Sequence, residues 1–344
     1  MEMDKRKKTI LTAVIEDYVI TAEPVGSKRL VAEHNLDISS ATVRHELAEL
    51  EEMGFLEQPH PSSGRVPSDM GYRFYVDSLD FNNALSFDEK KSISLHYKEL
   101  DYEVETIMKE TSILLTTLTS YASLVFAPVL LNDKIKHLDL VLLSPALVLM
   151  VVITNAGSVA KKMVDLKKSC DAEQLGVYEK ILNQKLVGIN VKKIATTKLG
   201  RIAKIEDEQA IKLFICKISE LLNRNERENI YYNGALNLLS HPEFESLEMI
   251  QKLLSTLEKS YQLLGLLSDI SEEYQVVVKI GAENVDLDIE GCSLVASSYQ
   301  ADGETLGALG ILGPTRMAYP RVISAVQNIA EKLGNVFESI NKRG

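Results

Sequence analysis

Between Ser39 and Gly54 the chain reads SSATVRHELAELEEMG, and several of its polar residues can exchange hydrogen bonds with base edges and phosphates. Ser39, Ser40, Thr42, Arg44 and His45 carry donors or acceptors, and Ala41 among them is small enough to let another surface come close. Arginine addresses the two acceptors of a guanine edge, while serine and threonine serve bases or phosphates. Lys28, Arg29 and Arg65 lie nearby in sequence and add cations suited to a phosphate backbone. These residues are the candidate DNA-contacting set. The chemistry is recognition, with no bond made or broken.

A helix must hold them. Ser39 or Ser40 can cap its start, Val43, Leu47 and Leu50 recur at helical spacing, and Gly54 suits the left-handed residue that ends a helix. With those apolar residues turned inward, Ala41, His45 and Ala48 face outward, flanked by Thr42, Arg44 and Glu49. A polar face of this kind occurs on amphipathic helices generally, so its neighbours decide what it means. Asp4 can cap a first helix with Ile10, Leu11, Val14, Ile15 and Tyr18 on one side. TAEPVG from Thr21 breaks it, Ser27 caps a short second helix, and Asn35–Ile38 makes a turn into the third. Three helices with a tight turn before the last form a helix-turn-helix. Phe55–Gln58 then reads as a strand, and PHPSSGRVPS from Pro59 as a projecting loop stiffened by Pro59, Pro61 and Pro67. Arg65 is the one cation of that loop, at its expected tip. Strand and loop make the unit a winged helix-turn-helix.

Bulk composition constrains this reading. The 344 residues carry a formal charge of -11, with 45% hydrophobic and 25% charged residues. Such a chain is not a polycation, so any DNA contact needs charge segregated within it. Residues 1–80 themselves hold nine Lys/Arg against fifteen Asp/Glu, 9 − 15 = −6. The three cysteines, Cys170, Cys216 and Cys292, are far apart and form no CxxC pair, which suggests buried thiols in a reducing compartment. The longest apolar run, Leu140–Ile153, contains Ser144 and Pro145 and is too short to span a bilayer. A cytoplasmic protein is expected.

Further on, Asn82–Lys109 is polar and helical after a connector at Asn82-Asn83. Strands are expected at Ser123–Leu131, His137–Leu143, Leu147–Thr154 and Val159–Leu166, with a turn at Asn155-Ala156-Gly157. The apolar density of Leu147–Thr154 suggests a strand covered on both faces. Helices follow from Asp171 to Leu186 and at Glu208–Leu222, with possible strands at Val191–Ile194 and Ile230–Tyr232. A leucine-rich helix spans Ser246–Leu267, strand signals return at Gln275–Ile280, Ser293–Ser298 and Leu306–Leu312, and a last helix runs from Pro320 to Ile340. Sheet, then helix, then sheet again predicts a discontinuous α+β domain carrying an insertion.

The run ATVRHELAELEEMGFLEQPHPSSGRVPSDMGYRFYVDSL, together with AEPVGSKRL before it, resembles the signature of the heat-inducible transcription repressor HrcA family. The similarity is strongest over about the first eighty residues. His45 stands where that pattern has Asn, and HPSSGRVPS replaces something closer to HTSAGRIPT. The resemblance implies a winged helix-turn-helix over 1–85 and a GAF-like α/β sheet domain in two parts, 86–186 and 265–344. Between them, an inserted dimerisation domain would occupy 187–264. It further implies a homodimer that binds double-stranded DNA at an inverted-repeat operator of the CIRCE type ahead of chaperone operons. A GroEL-type chaperonin would help maintain its active state.

No Walker loop, HExxH, GxSxG or clustered Cys/His pattern occurs, so neither an enzymatic function nor a cofactor nor a metal is expected. Gly307, Gly310 and Gly313 fall within a strand pattern, where they suit close packing and a turn at Gly313-Pro314 rather than phosphate binding. The competing function is a ligand-sensing GAF-type regulator whose winged domain binds protein. Salt dependence separates the two, because phosphate contacts impose a steep slope.

Overall fold

The computed structural model describes residues 3–79, 84–100, 103–128, 134–155, 159–196, 208–222, 230–258, 276–284 and 291–343. The chain opens with α1 (Lys5–Thr21), α2 (Ser27–Glu33) and α3 (Ser40–Glu52). Asp4 caps α1 by accepting from the Lys7 amide at 2.9 Å. Ser39, not Ser40, caps α3 by accepting from the Thr42 amide at 3.1 Å. At α2 the cap is Gly26 rather than the expected Ser27, which is buried inside the first turn. Short strands β1 (Leu56–Glu57) and β2 (Val66–Pro67) pair antiparallel, and α4 (Asp69–Asp77) follows, capped by Ser68. Ile10, Val14 and Ile15 of α1, Leu30 of α2 and Val43 and Leu50 of α3 are all wholly buried in one core.

The chain continues through α5 (Phe87–Glu99), α6 (Val104–Thr119), β3 (Ala122–Phe126), β4 (Ile135–Ser144), β5 (Leu147–Thr154) and β6 (Val159–Asp165). Next come α7 (Ala172–Leu186), α8 (Glu208–Leu222), β7 (Ile230–Asn233), α9 (Ala235–Leu238) and α10 (Leu247–Glu258). It ends in β8 (Val276–Ile280), β9 (Cys292–Ala301), β10 (Glu304–Pro314) and α11 (Tyr319–Arg343). Strands β7-β3-β10-β9-β8 form a five-stranded antiparallel sheet, and β4-β5-β6 a separate three-stranded one. Val322, Val326, Ile329, Leu333 and Phe337 recur at helical spacing on α11 and bury completely against the larger sheet. Gly310 sits inside β10, where an added Cβ would come 3.0 Å from Ala296, so close packing accounts for it.

Four expectations change. The boundary expected between 186 and 187 falls inside a single core, where Leu182 and Leu186 pack with Ile211, Phe214 and the strands β4–β6. The chain leaves the larger sheet after β3 and rejoins it at β7, directly beside β3, so the excursion begins before β4. Strand periodicity is the same on either side of that exit, and pairing partners are not a local property. The central strand β5 is not covered on both faces: its burial alternates, with Val148, Met150 and Val152 buried and Leu149, Val151 and Ile153 only partly so. Helices α7 and α8 cover one face of that sheet and leave the other. Val191–Thr196 is a 3-10 turn and not a strand, and Cys216 is exposed while Cys170 and Cys292 are buried. The connector Asn82-Asn83, the turn at Ala156-Gly157 and the helix beyond Glu258 lie outside the described residues. No helix among the described residues is long and apolar enough to cross a membrane.

One capping box ties α5 to α11. Ser86 accepts from the Glu89 amide, Glu89 accepts from the Ser86 amide at 2.8 Å, and Arg321 donates to Glu89 at 2.7 Å. The Ser86 hydrogen bonds, then Arg321, hold the Glu89 carboxyl down at about 2. A folded-state value below the ordinary one gives stability that is complete above pH 4.5 and is lost as pH falls towards about 2. Glu89→Gln should therefore lower the thermal midpoint at pH 7 and flatten its decline between pH 5 and 3 in calorimetry. Ser86→Ala should cost ~0.5–2 kcal/mol through the lost cap.

Candidate nucleic-acid interface

Burial of Val43, Leu47 and Leu50 turns the opposite face of α3 outward, and Ala41, Arg44 and His45 are exposed there. The hydroxyls of Ser39 and Thr42 lie 2.9 Å apart across the first turn, and Ser40 is half-buried beside them. The amino-terminal half of α3 carries no acid, and its free amides place partial positive charge at that end. Its acids lie further on, and Glu46, Glu49 and Glu51 have basic partners. Lys7 reaches Glu46 at 3.0 Å and Glu49 at 2.7 Å, and Arg6 reaches Glu46 at 3.3 Å. Hydrogen bonds to Glu49 and then Glu46 raise the Lys7 ammonium above its ordinary value, and Lys7 in turn lowers Glu49. Two of the four basic residues of the amino-terminal run, Arg6 and Lys7, are thus held by the acids of α3, while Lys8 lies over the Phe74 ring at 5.7 Å.

The candidate cations divide sharply. Lys28 and Arg44 are exposed and have no acidic partner among the described residues. Both line a cleft of about 560 Å³ between α2, α3 and the β1–β2 loop. Arg29 is diverted: its guanidinium lies 3.3 Å from the buried Asp17 and 3.3 Å from Glu33, while His34 meets Asp17 at 2.9 Å. Arg65 is diverted too. It is not a free cation at the loop tip, because its side chain is 16% exposed and pairs with Glu51 at 2.7 Å. His45 keeps its exposure while meeting Glu49 at 3.1 Å.

The backbone explains Arg65. Its amide and carbonyl exchange hydrogen bonds of 2.9 Å with Val25, so the hairpin gains a third partner from the segment before α2. A Cβ on Gly64 would lie 2.4 Å from the Val25 carbonyl oxygen, so only glycine permits that approach. The tip is instead His60–Ser63, where the Ser63 hydroxyl donates to the His60 carbonyl at 2.7 Å and Gln58 donates to the Pro61 and Ser63 carbonyls at 3.0 Å. Exposed His60 and Ser62 are the polar side chains the loop presents, beside exposed Pro59 and Pro61. Sequence reading missed them because it sought a cation; the signal available was the pair Gln58 and Ser63, which close a loop locally.

Among the described residues, no group of three or more His, Cys, Asp or Glu could hold a metal ion. What the arrangement offers is a convex helix face, a projecting loop and two unpaired cations between them. Gly64→Ala should therefore detach the hairpin from Val25 and cost ~1–3 kcal/mol. Native-state hydrogen exchange should show the Val25 and Arg65 amides losing protection while the α1 core amides keep theirs. Unchanged protection at Val25 would mean that the bridge does not depend on the glycine.

The family described as HrcA protein C terminal domain matches residues 105–323. The heat-inducible transcription repressor HrcA of Pelotomaculum thermopropionicum is 36% identical over 342 residues, covering 99% of this chain and 98% of its own. The protein of the same name from Desulforudis audaxviator is 37% identical over 343 residues, covering 99% of each. A crystal structure described only as a hypothetical protein at 2.2 Å resolution shares the fold, with a TM-score of 0.67 at 24% identity and 98% of each chain covered. The chain belongs to the HrcA family of heat-inducible transcription repressors.

Proposed function

We propose that this repressor acts by occupying double-stranded DNA as a homodimer, each subunit placing α3 in the major groove of one half of an inverted repeat. The observation that carries the reading is the pair Lys28 and Arg44, both exposed and without an acidic partner among the described residues, beside an acid-free first half of α3. An acidic protein that spends Arg6, Lys7, Arg29 and Arg65 on internal pairs keeps Lys28 and Arg44 open to an anionic partner. Helices α1–α3 with β1–β2 then serve as a winged helix-turn-helix, Arg44 reading a base edge and Lys28 meeting a phosphate. Ser39, Ser40, Ala41, Thr42 and His45 supply the rest of the groove contact. Arg29 and Arg65 act inside the unit, holding α2 and the wing in place. The five-stranded sheet with its flanking helices supports a GAF-like body. Family resemblance supports a CIRCE-type operator ahead of chaperone genes and a GroEL-type chaperonin partner.

Dimerisation belongs, on this reading, to the unit between β3 and β7. Register aligns Val141, Leu149 and Met163 across the uncovered face of β4–β6, and Val141 and Met163 are 48% and 65% exposed. An apolar sheet face of that kind suits a second copy of itself across a two-fold axis.

Selection of bound duplexes from a random pool tests the class: an inverted repeat should be enriched, and a folded protein that enriches nothing would refute DNA recognition. On the enriched site, Arg44→Ala should cost ~1–3 kcal/mol and relax one position per half-site. Lys28→Ala should weaken all sequences alike and make the salt slope shallower by about one unit. Val141→Lys with Met163→Lys should yield monomers in sedimentation and bind the repeat far more weakly. Dimers that persist would move the interface elsewhere.

A further inference from the structure

The DNA-binding unit shares one apolar core with the larger sheet and α11, and two arginine clasps add directional ties that DNA contact itself does not require. On α4, Arg73 donates to Glu283 through Nε at 2.8 Å and through Nη2, and also from Nη2 to the Val278 carbonyl at 2.6 Å. One turn earlier, Asp69 accepts from the Ala282 amide at 2.8 Å. At the far end of α1, Arg316 donates to the Val19 carbonyl at 2.7 Å and to Glu243 at 2.6 and 3.2 Å. Arg316 is only 8% exposed. Between the clasps the rings of Tyr72 and Tyr319 meet at 5.9 Å.

Two anchor points fix an orientation where one would leave a swivel. Three separate pieces converge on Arg316: the end of α1, the segment after β7, and the turn from β10 into α11. Burying this pair is weak evidence for stability, since apolar residues of like volume commonly serve as well. What apolar residues do not supply is direction, because a guanidinium donates along fixed lines. Glu243 and Glu283 feel burial, which pushes them up, yet the arginine hydrogen bonds outweigh it and leave both carboxyls below the ordinary value.

We propose that the Arg73–Glu283 and Arg316–Glu243 clasps are positioning contacts that set the distance and rotation between the two α3 helices of the dimer, and so the half-site spacing the repressor accepts. The inference rests on the dimeric DNA-binding reading above. Two linked modules gain avidity only where both sites are reachable at once, so a rigid mounting converts spacing into affinity.

The test uses the full chain and synthetic duplexes carrying the enriched half-site twice, with spacing changed one base pair at a time, and a control duplex carrying it once. The parent should lose about tenfold or more when spacing is changed by one or two base pairs. Arg73→Ala combined with Arg316→Met and Glu243→Met should tolerate those changes within about threefold while binding the single half-site as the parent does. Unchanged spacing discrimination in the folded variant overturns the proposal. So does an equal loss on the single half-site, which would make the clasps supports of the DNA-binding unit itself, or tighter binding at the native spacing, which would make them restraints against it. If the triple variant fails to fold, Arg73→Ala alone, at a partly exposed side chain, must show the relaxation or the proposal falls. Failure of the pool selection to enrich any repeat is a different result, and sinks the DNA reading instead.

Discussion

The exposed polar face of α3 exists because the helix must bury Val43, Leu47 and Leu50. All three lose nearly all contact with water against α1, α2 and β1, and burial of each such side chain is worth ~1.5–3 kcal/mol. A helix has one rotation about its axis, so fixing the apolar stripe fixes the opposite face. Ala41, Arg44 and His45 are outward for that reason alone. The Ser39 cap then sets where the helix begins, and with it the height of Arg44 above the cleft.

Charge imposes the second constraint. An excess of acids over the first eighty residues opposes an anionic partner, and the fold answers by pairing acids locally. Lys7 sits between Glu46, Glu49 and Asp4, and Arg65 takes Glu51. Neutralised close at hand, these carboxylates project little field at the distance of the cleft, since charges separated by more than ~8–10 Å are already screened by physiological salt. Lys28 and Arg44 are left to define the potential there. Asp17 performs a related task inside, where Arg29 and His34 converge on it and pin α2 against α1.

Beyond α4 the chain builds two apolar bodies threaded on one backbone. The larger sheet closes only when β7 returns to β3, after the chain has built β4–β6, α7 and α8 as a body with its own interior. Neighbouring antiparallel strands whose ends meet can host such an excursion with little disturbance, because the entry and exit points lie side by side. The apolar face that this second body leaves open and the arginine clasps that mount the first unit occupy opposite ends of the same problem. In the proposed dimer, the first would pair the copies and the second would set how each copy holds α3.

Sequence alone determined the helices and their order, because caps and apolar spacing act within a few residues. Asp4 and Asp171 cap their helices, Ser39 is the one of the two expected serines that caps α3, Ser27 gives way to Gly26 at α2, and Gly54 takes the left-handed conformation at φ 83 that the end of α3 needs. It also picked out the exposed residues of α3, since one stripe of three apolar residues fixes a helix face. Tertiary structure decided everything that depends on a partner far along the chain. Arg65 and Arg29 look like free cations in sequence, and became internal ties only when Glu51, Val25 and Asp17 were brought beside them. The limits of the insertion were hidden likewise, because β3 and β4 carry the same alternating signal and only pairing across a hundred residues tells which sheet each joins. Local sequence fixes dihedrals and faces; which charges remain unpaired is settled only when the chain closes on itself.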